Sequence, residues 1–293
     1  MKGGPAVPNK ELDVGLCVSS GQVFRWRQTA SGFIGVDGPN VMEARKGRGG
    51  WVLESRPDPD AATRLFQLDR SLEPITQEII RRGPELKPFI EAYPGLRVLR
   101  PKRADETLFS FLCTTNNNLA RITRMVETLA GYGKRIEDGR FEFPIAERLA
   151  EVGEAELRGK GFGYRGRTIS RAAAQVATRG SSWLDSLKGL PYDEARSALC
   201  ELDGVGLKVA DCVCLVGFGF ETAVPVDTHL WRAACDLYFP EWEGKSLTEK
   251  RYLAVGDLFR DRFGEVAGWA HQYLFYHRVL AYRGGKAPVY YEQ

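Results

Sequence analysis

The first hundred residues alternate short hydrophobic segments with turns that are rich in glycine, proline and aspartate. Three of these segments predict β-strands, at residues 23–27, 32–36 and 51–54, and residues 46–50 predict a mobile hairpin tip. Short strands so close together favour an antiparallel sheet with few parallel crossovers. Two helices, at 61–72 and 72–81, are expected to pack beside this sheet.

From residue 100 onward, the hydrophobic positions follow the period of an α-helix instead. Asn118 opens a helix whose hydrophobic face carries Leu119, Ile122, Met125, Val126 and Leu129. Further helices are predicted at 105–112, 145–152, 154–159, 165–178, 183–187, 192–202, 208–218, 228–238, 248–263 and 268–281. The pattern predicts an α+β, mainly α protein, with an N-terminal antiparallel β-sheet domain at 1–100 and a helical domain at 101–293.

Composition and charge are those of an ordinary globular protein. The 293 residues are 43% hydrophobic and 27% charged, with a formal net charge of +3. No hydrophobic run approaches the roughly 18 residues of a membrane span, and the N-terminus lacks the hydrophobic core of a secretory signal. We therefore expect an intracellular protein with no membrane partner. Any nucleic-acid contact requires a local basic surface, and residues 157–184 carry basic but no acidic side chains, although such a run is often only a solvated surface.

The six cysteines are scattered along the chain, and no two of them form a Cys-x-x-Cys pair. This spacing argues against a zinc ribbon and against the clustered thiolates of an iron–sulfur site. Most of the cysteines are therefore expected to be reduced residues of the core.

A glycine-rich turn lies between two predicted helices, from Asp203 to Gly206. Gly204 and Gly206 allow positive φ and close approach of another molecule to the backbone. The amides of Gly204, Gly206 and Lys208 should point outward at a helix N-terminus, where partial positive charge favours an anion. A DNA phosphate fits, because phosphate contacts position a duplex without reading its sequence. The alternative is a plain corner between two helices.

Lys208 and Asp227 together suit nucleophilic attack on a sugar carbon. Lysine in water is almost entirely protonated at pH 7, so a nucleophilic lysine needs desolvation and positive neighbours, and a helix N-terminus supplies part of this. Asp227 follows Pro225 and precedes a helical pattern, which makes it a natural N-cap. A carboxylate there can also stabilise positive charge on a sugar ring and accept a proton from the lysine. Capping alone is the structural alternative.

These residues resemble the helix-hairpin-helix glycosylases with the Gly/Pro…Asp signature (HhH-GPD), and within them the 8-oxoguanine DNA glycosylases of the eukaryotic type. The resemblance extends from about Cys17 to about Ala281. The motifs that carry it are SGQVFRW at 20–26, CTTNNN at 113–118, GYR at 163–165 and the hairpin through His229. It implies a two-part helical HhH-GPD domain with the helix-hairpin-helix at about 192–218.

The resemblance also implies roles for the residues of the reaction and of base recognition. Lys208 matches the nucleophile that attacks the deoxyribose C1′, and Asp227 matches the catalytic aspartate. Cys212 and Phe275 match the two residues that stack on opposite faces of the flipped base. Gly21 matches the glycine whose carbonyl accepts the N7 hydrogen that 8-oxoguanine has and guanine lacks. The structural alternatives are core residues for Cys212 and Phe275 and a turn glycine for Gly21.

Further positions match DNA-binding residues of the family. Asn116 matches the residue that fills the space of the extruded base, although the alternative is a helix cap. Arg121 and Arg165 match the pair that binds the estranged cytosine, Tyr164 matches the wedge beside it, and His229 matches a phosphate contact. Three backbone carbonyls match a structural cation site in the hairpin: those of Cys200, Leu202 and Val205.

Two positions depart from the family pattern. Asp203 stands where the family usually has a proline in the hairpin, which we expect to alter loop stiffness more than chemistry. His271 stands where the eukaryotic enzymes have a glutamine that reads the base edge, and this exchange should change the pH dependence of recognition. Gln272 is an alternative reader, but its direction on a helix differs by about 100°.

The resemblance implies a bifunctional DNA glycosylase and AP lyase that removes 8-oxoguanine opposite cytosine. Its partner would be double-stranded DNA that contains an oxidised purine, and the protein is expected to be a monomer. No metal or redox cofactor is expected in the chemistry. The protein would be DNA-associated, in the cytoplasm and nucleoid of a bacterium or the nucleus of a eukaryote.

Three alternatives remain open at this point. An alkylated-base glycosylase of the same superfamily would hydrolyse with water and the aspartate alone, and Lys208 argues against it. A module that only binds the DNA backbone would not need Asp227 or the set Asn116, Arg121 and Arg165. Formamidopyrimidine as the main substrate is not distinguished by the sequence.

Overall fold

A four-stranded antiparallel sheet forms the N-terminal part of the protein, in a computed structural model that describes residues 6–180 and 182–282. Its strands follow one another in chain order: β1 (Trp26–Thr29), β2 (Gly32–Asp37), β3 (Asn40–Gly47) and β4 (Gly50–Arg56). Hairpins join all neighbouring strands, and Gly47 pairs with Gly50 at the turn predicted for residues 46–50. The predicted antiparallel sheet is confirmed.

Two details of the sheet differ from the sequence prediction. The first strand begins at Trp26, not at residue 23, because Phe24 is buried and turns towards the helical region, where its ring meets Phe111 edge-on at 5.9 Å. Strand β3 was not predicted. Its residues Val41 and Met42 are adjacent and both buried, so the strand lacks the alternation by which a strand with one exposed face is recognised.

Four α-helices also lie in the N-terminal part: α1 (Val14–Ser19), α2 (Ala61–Leu65), α3 (Leu72–Arg82) and α4 (Lys87–Ala92). Of the two helices expected beside the sheet, α2 contacts β3 and β4, whereas α3 packs mainly against helices of the C-terminal part. Helix α1 was not predicted; Asp13 caps it by accepting a hydrogen bond from the Leu16 amide at 2.9 Å. The helix predicted at 61–72 ends early because Gln67 has a φ of 51°, which a right-handed helix cannot continue through.

The remaining described helices lie after residue 103: α5 (Ala104–Thr114), α6 (Leu119–Ala130), α7 (Ala146–Ala150), α8 (Glu154–Gly159), α9 (Arg165–Arg179), α10 (Trp183–Ser186), α11 (Tyr192–Cys200), α12 (Leu207–Cys212), α13 (Thr228–Tyr238), α14 (Glu249–Phe263) and α15 (Ala267–Tyr282). Each corresponds to a predicted helix. The helix predicted at 208–218 is in fact α12 followed by a π-helical segment, Val213–Phe218. The fold is α+β and mainly α, as predicted.

The sheet region and the helical region share one hydrophobic core that runs from Leu12 to Tyr276. A buried arginine of the sheet region joins the two across their boundary: Arg25 donates to the Glu106 carboxylate at 3.3 Å and to the Phe141 carbonyl. All six cysteines are free. Within residues 6–180 and 182–282, no helix is long and apolar enough to cross a membrane.

Candidate active site

The helix-hairpin-helix consists of α11, a turn and α12, and its two glycines have different roles. Gly204 has a φ of +76°, and a Cβ there would come within 2.0 Å of the Thr168 methyl group. Gly206 is the N-cap of α12 with an extended φ of −94°, and nothing lies within 4 Å of where its Cβ would be. Of the two glycines, only Gly204 uses the positive φ that glycine allows, and the open surroundings of Gly206 leave room for another molecule.

Helix α9 holds the hairpin on one side. The Asp203 amide donates to the Gln175 side chain at 2.8 Å, and the Asp203 carboxylate pairs with Arg171 at 3.3 Å. A proline at position 203 would lack this N–H donor. The departure from the family pattern at Asp203 therefore adds two contacts between the hairpin and α9.

Backbone groups of the hairpin are open to ligands. Within the described hydrogen bonds, the amides of Gly204, Gly206 and Lys208 donate to no acceptor. The carbonyls of Cys200 and Val205 likewise accept no described hydrogen bond, whereas the Leu202 carbonyl accepts one from the Val205 amide at 3.0 Å. No group of three or more metal-ligating side chains occurs in the described residues. A cation here would be held by backbone carbonyls, which suit hard cations.

The amine of Lys208 points from the first turn of α12 towards helix α5. Its Nζ donates to the Thr114 hydroxyl at 3.2 Å and lies 5.2 Å from the centre of the Phe111 ring. It also lies beside Cys212, one turn further along α12. Burial raises the pKa of the Cys212 thiol to about 11, although the nearby Lys208 lowers it. Cys212 is therefore a neutral, buried thiol next to the amine. Sequence reasoning missed Thr114, even though it lies in the CTTNNN motif.

Asp227 is the N-cap of α13, as predicted. One of its oxygens, Oδ1, accepts both capping hydrogen bonds, from the amides of His229 and Leu230 at 2.9 Å each. The other oxygen has no partner in the described hydrogen bonds and is available to a ligand. No ion pair within 4.0 Å joins Asp227 to Lys208. The two groups nevertheless share surroundings, because both act electrostatically on Cys212 and on His271.

The predicted base-recognition residues from the two ends of the chain lie together. Phe275 of α15 stacks on His271 with ring centres 5.7 Å apart, and its other neighbour is His229, edge-on at 6.2 Å. A Cβ at Gly21 would lie 3.8 Å from the Phe275 ring, and Gly21 has a φ of +78°. Its backbone is thus adjacent to the ring predicted to stack on the base.

His271 is neutral at ordinary pH. Burial lowers the pKa of His271 to about 4, and the charge on Asp227 opposes this only in part. Its ring also interacts with the backbone of Pro225 and Gly268, while its Nδ1 is buried without a partner in the described hydrogen bonds. Gln272 instead directs its amide to the Ser20 carbonyl at 3.5 Å. Of the two possible readers of the base edge, His271 is therefore the one beside Phe275.

The loop between α5 and α6 carries Asn116, an exposed non-glycine residue with a φ of 47°. Such strained positions concentrate at functional sites. The guanidinium of Arg165 is buried and supports the loop from beneath, donating to the carbonyls of Thr115 at 3.1 Å and Asn116 at 2.7 Å. In this structure Arg165 fixes the backbone of Asn116, and its contact with the estranged cytosine stays a prediction.

The other DNA-binding candidates lie around the same loop. Tyr164 is 54% exposed, and its hydroxyl donates to the Thr115 carbonyl at 3.2 Å. Arg121 donates to the Gly161 carbonyl at 2.9 Å across the turn that precedes α9. The exposed Tyr164 and Asn116 and the half-buried Arg121 therefore lie around one loop, and Tyr164 belongs to the acid-free segment at 157–184.

Comparisons with known proteins agree with this geometry. Residues 6–107 match the N-terminal domain of 8-oxoguanine DNA glycosylases, and residues 109–255 match the HhH-GPD superfamily of base excision DNA repair proteins. The N-glycosylase/DNA lyase OGG1 of Arabidopsis thaliana is 35% identical over 281 residues, which cover 90% of this chain and 77% of the relative. The chain belongs to the 8-oxoguanine DNA glycosylase family of the HhH-GPD superfamily.

A further relative and two solved structures extend the agreement. The N-glycosylase/DNA lyase of Saccharomyces cerevisiae is 36% identical over 245 residues, covering 72% of this chain and 64% of the relative. One similar structure is that of the 8-oxoguanine glycosylase/lyase of Clostridium acetobutylicum, solved with DNA that contains cytosine opposite 8-oxoguanine. It superposes with a TM-score of 0.82 at 27% identity, over 94% of this chain and 93% of the other. A 3-methyladenine DNA glycosylase from Archaeoglobus fulgidus, 18% identical with a TM-score of 0.73 over 96% of this chain and 98% of the other, shares the fold.

Proposed function

We propose that this protein is a bifunctional DNA glycosylase and AP lyase that excises 8-oxoguanine opposite cytosine from double-stranded DNA. The observation that carries the proposal is the placement of Lys208 and Asp227 around shared neighbours, Cys212 and His271, next to the Phe275 ring. This reaction needs a nucleophilic amine, a carboxylate with an unused oxygen and an aromatic ring on which the base can stack.

Recognition requires the damaged base to leave the duplex, at a cost of a few kcal/mol for unstacking and unpairing. The flipped base would stack on Phe275, with Cys212 on its other face. The Gly21 carbonyl would accept the N7 hydrogen of 8-oxoguanine, whereas guanine would oppose a lone pair to that carbonyl. His271, which is neutral and lies beside Phe275, would read the base edge.

The chemistry follows from an amine and a carboxylate. The neutral amine of Lys208 attacks the sugar C1′, and the bond from C1′ to the base breaks as the base leaves with its electron pair and takes up a proton. Asp227 accepts the proton from the Lys208 ammonium and stabilises positive charge on the sugar ring. The C1′–O4′ bond of the sugar ring then breaks, O4′ takes up a proton, and Nζ loses its remaining proton to form an imine with C1′. This imine allows loss of a proton from C2′ and departure of the 3′ phosphate by β-elimination. No metal or redox cofactor is part of this scheme.

DNA would be held by two surfaces. The open amides at Gly204 and Gly206 would bind a phosphate, and a cation held by the carbonyls of Cys200, Leu202 and Val205 would stiffen the hairpin around it. Asn116 would fill the space left by the base, with Tyr164 and Arg121 at the estranged cytosine. Arg165 would act by holding the Asn116 backbone, and His229 would contact a phosphate. The protein would work as a monomer, in the nucleoid or the nucleus.

Borohydride trapping on a duplex that contains 8-oxoguanine tests this proposal. The wild-type protein should form a covalent adduct, whereas Lys208→Gln should bind the duplex with similar affinity and form none. Changing the opposite base from cytosine to adenine should slow adduct formation, and Arg121→Ala should reduce that preference. A duplex with formamidopyrimidine compares the second oxidised purine in the same assay.

The alternatives give different results in that assay. A glycosylase that hydrolyses with water would release the base without an adduct, and a DNA-binding module would do neither. The half-buried Lys208, held by Thr114 beside Cys212, favours the covalent route. A base released by the Lys208→Gln variant at the wild-type rate would contradict the proposed role of the amine.

A further inference from the structure

A buried carboxylate that the proposed chemistry does not use lies on the same short helix as Lys208. Asp211 is three residues further along α12 and fully buried. It accepts hydrogen bonds from two tyrosine hydroxyls, Tyr192 at 2.6 Å and Tyr252 at 2.5 Å. Burying a carboxylate is costly unless it is paired or hydrogen-bonded, so each of its oxygens has a dedicated donor.

One of these tyrosines reaches the segment that carries the catalytic aspartate. The Tyr252 hydroxyl donates to Asp211 and accepts a hydrogen bond from the Val226 amide at 3.3 Å. Val226 is itself buried and directly precedes Asp227. A continuous chain of hydrogen bonds therefore runs from the helix of Lys208, through Asp211 and Tyr252, to the residue before Asp227.

The second tyrosine, Tyr192, makes its other contacts outside the proposed active site. Tyr192 belongs to α11, and its ring lies against two guanidinium groups, Arg196 at 4.9 Å and Arg260 at 5.4 Å. Burial raises the pKa of Asp211 to about 6, while the two tyrosine hydroxyls and these two arginines lower it. Tyr192 thus satisfies the same carboxylate as Tyr252 but makes no described hydrogen bond to the 224–227 segment.

We infer that Asp211 and Tyr252 are positioning residues that set the separation between the Lys208 amine and the Asp227 carboxylate. The inference rests on the proposed function. Lys208 and Asp227 form no direct ion pair that would hold them together, so their relative position depends on the backbone segments that carry them. Displacing a reacting group by about 1 Å can cost roughly a hundredfold in rate. The chain through Asp211 and Tyr252 joins those two segments directly.

The two tyrosines provide a matched pair of variants. Tyr252→Phe and Tyr192→Phe each remove one hydroxyl donor from the same carboxylate. Tyr252→Phe also releases the Val226 amide, whereas Tyr192→Phe releases two guanidinium groups, those of Arg196 and Arg260. In single-turnover borohydride trapping, Tyr252→Phe should form the adduct about tenfold more slowly with unchanged affinity for the damaged duplex. Tyr192→Phe should stay within about twofold of wild type. Equal slowing by both variants would overturn the inference.

A double-variant comparison separates positioning from general damage to the fold. If Tyr252 acts through Asp227, then Tyr252→Phe should add no further slowing to the residual rate of Asp227→Asn. Multiplicative slowing in the double variant would contradict the inference. Asp211→Asn provides a second test of the inference, because its amide oxygen can still accept one hydroxyl hydrogen bond. Its rate of adduct formation should therefore fall by less than that of Asp211→Ala. Absence of any adduct with the wild-type protein would instead refute the proposed function.

Discussion

The Lys208 amine donates to the Thr114 hydroxyl, whose own proton is directed to the Phe111 carbonyl at 2.7 Å. Because that hydroxyl proton is already committed, Thr114 can only accept from the amine. The hydroxyl therefore fixes the position of Nζ while leaving its nitrogen lone pair for the substrate. At the scale of single residues, the nucleophile depends on a neighbour that is not itself part of the reaction.

Thr114→Val should slow adduct formation about fivefold, because the loss of one hydrogen bond of about 1 kcal/mol leaves the amine less well placed. The measurement is the single-turnover rate of borohydride trapping. Thr115→Val is the matched control: its hydroxyl also bonds a carbonyl of α5, that of Leu112 at 2.8 Å, but makes no described contact with Lys208. A rate for Thr114→Val equal to that of the control would show that the hydroxyl is dispensable.

His271→Ala should separate base recognition from lyase chemistry. An abasic site has no base for His271 to read, so β-elimination on a preformed abasic duplex should remain within about twofold of wild type. Excision of 8-oxoguanine should fall roughly tenfold, as expected for the loss of one specific contact with the base edge. Equal losses on both substrates would place His271 in the reaction or in the fold instead.

The same residue predicts a pH dependence that differs from the sequence-based expectation. With its pKa lowered to about 4 by burial, His271 does not change charge between pH 6 and 8. Replacing it by glutamine should therefore leave the shape of the rate profile in that range unchanged, as measured by single-turnover excision. An inflection near pH 6.5 that disappears in His271→Gln would contradict this.

At the scale of the elements, the two glycines of the hairpin are needed for different reasons: Gly204 for its positive φ and close packing, and Gly206 for the space it leaves to a ligand. Gly204→Ala places a side chain at positive φ and against Thr168, which should cost about 2 kcal/mol, or roughly 4–8 °C in Tm. Gly206→Ala meets open space and should leave Tm nearly unchanged while weakening DNA binding, because the added methyl group occupies the approach to the open amides. Thermal melting and a DNA-binding titration measure the two effects. Equal Tm values for the two variants would contradict this division.

Much of the helical region could be predicted from the sequence, because its hydrophobic stripes follow one period and its caps are local. The bounds of α8 and α13 agree with the predicted 154–159 and 228–238. Local sequence patterns do not predict an element correctly where tertiary packing determines its structure. Strand β3 is buried at adjacent positions, and the helix after Lys208 changes into a π-helical segment, which depends on the packing around it.

The candidate site could be predicted only in part. Motifs that recur in the family pointed to Lys208 and Asp227, and the glycines of the hairpin have a visible local reason. Thr114 and Asp211 were missed because their importance comes from partners far away along the chain, Lys208 and Tyr252 respectively. A threonine in a helix and an aspartate in an apolar helix carry no signal of such contacts until the fold is known.

At the scale of the whole molecule, the site is assembled from both ends of the chain. Gly21 lies between the first helix and the first strand, whereas Phe275 belongs to the last described helix, and the two are in contact range. Gly21 lies four residues before Arg25, which binds Glu106 at the junction of the sheet region and the helical region, so we expect this junction to affect the base-recognition site. Loosening this junction would move Gly21 relative to Phe275.

Asp37 is a buried carboxylate at this junction, and its titration makes the free energy of unfolding depend on pH. Burial and the nearby Glu106 raise the pKa of Asp37 to about 7, above its usual range near 4, so the folded protein holds a proton that the unfolded chain releases. Stability should then fall as pH rises from 5 to 8, by about 2–3 kcal/mol from this group. Asp37→Asn should remove this part of the decline, as measured by denaturant unfolding at several pH values.

Asp58→Asn is the control for that comparison. A hydrogen bond from the Asp60 amide lowers the pKa of the half-buried Asp58, so this carboxylate is ionised throughout pH 5 to 8. Its replacement should shift stability by the same amount at every pH in that range. A decline between pH 5 and 8 that is as steep in Asp37→Asn as in the wild-type protein would contradict the account of the junction.

The most direct test of the central claim is to locate the covalent bond to DNA. The adduct formed with an 8-oxoguanine duplex under borohydride would be digested with protease and nuclease, and the modified peptide identified by mass spectrometry. We predict a reduced sugar remnant on Nζ of Lys208 and on no other amine. A remnant on a different lysine or on the N-terminus, or release of the base with every amine unmodified, would contradict the claim.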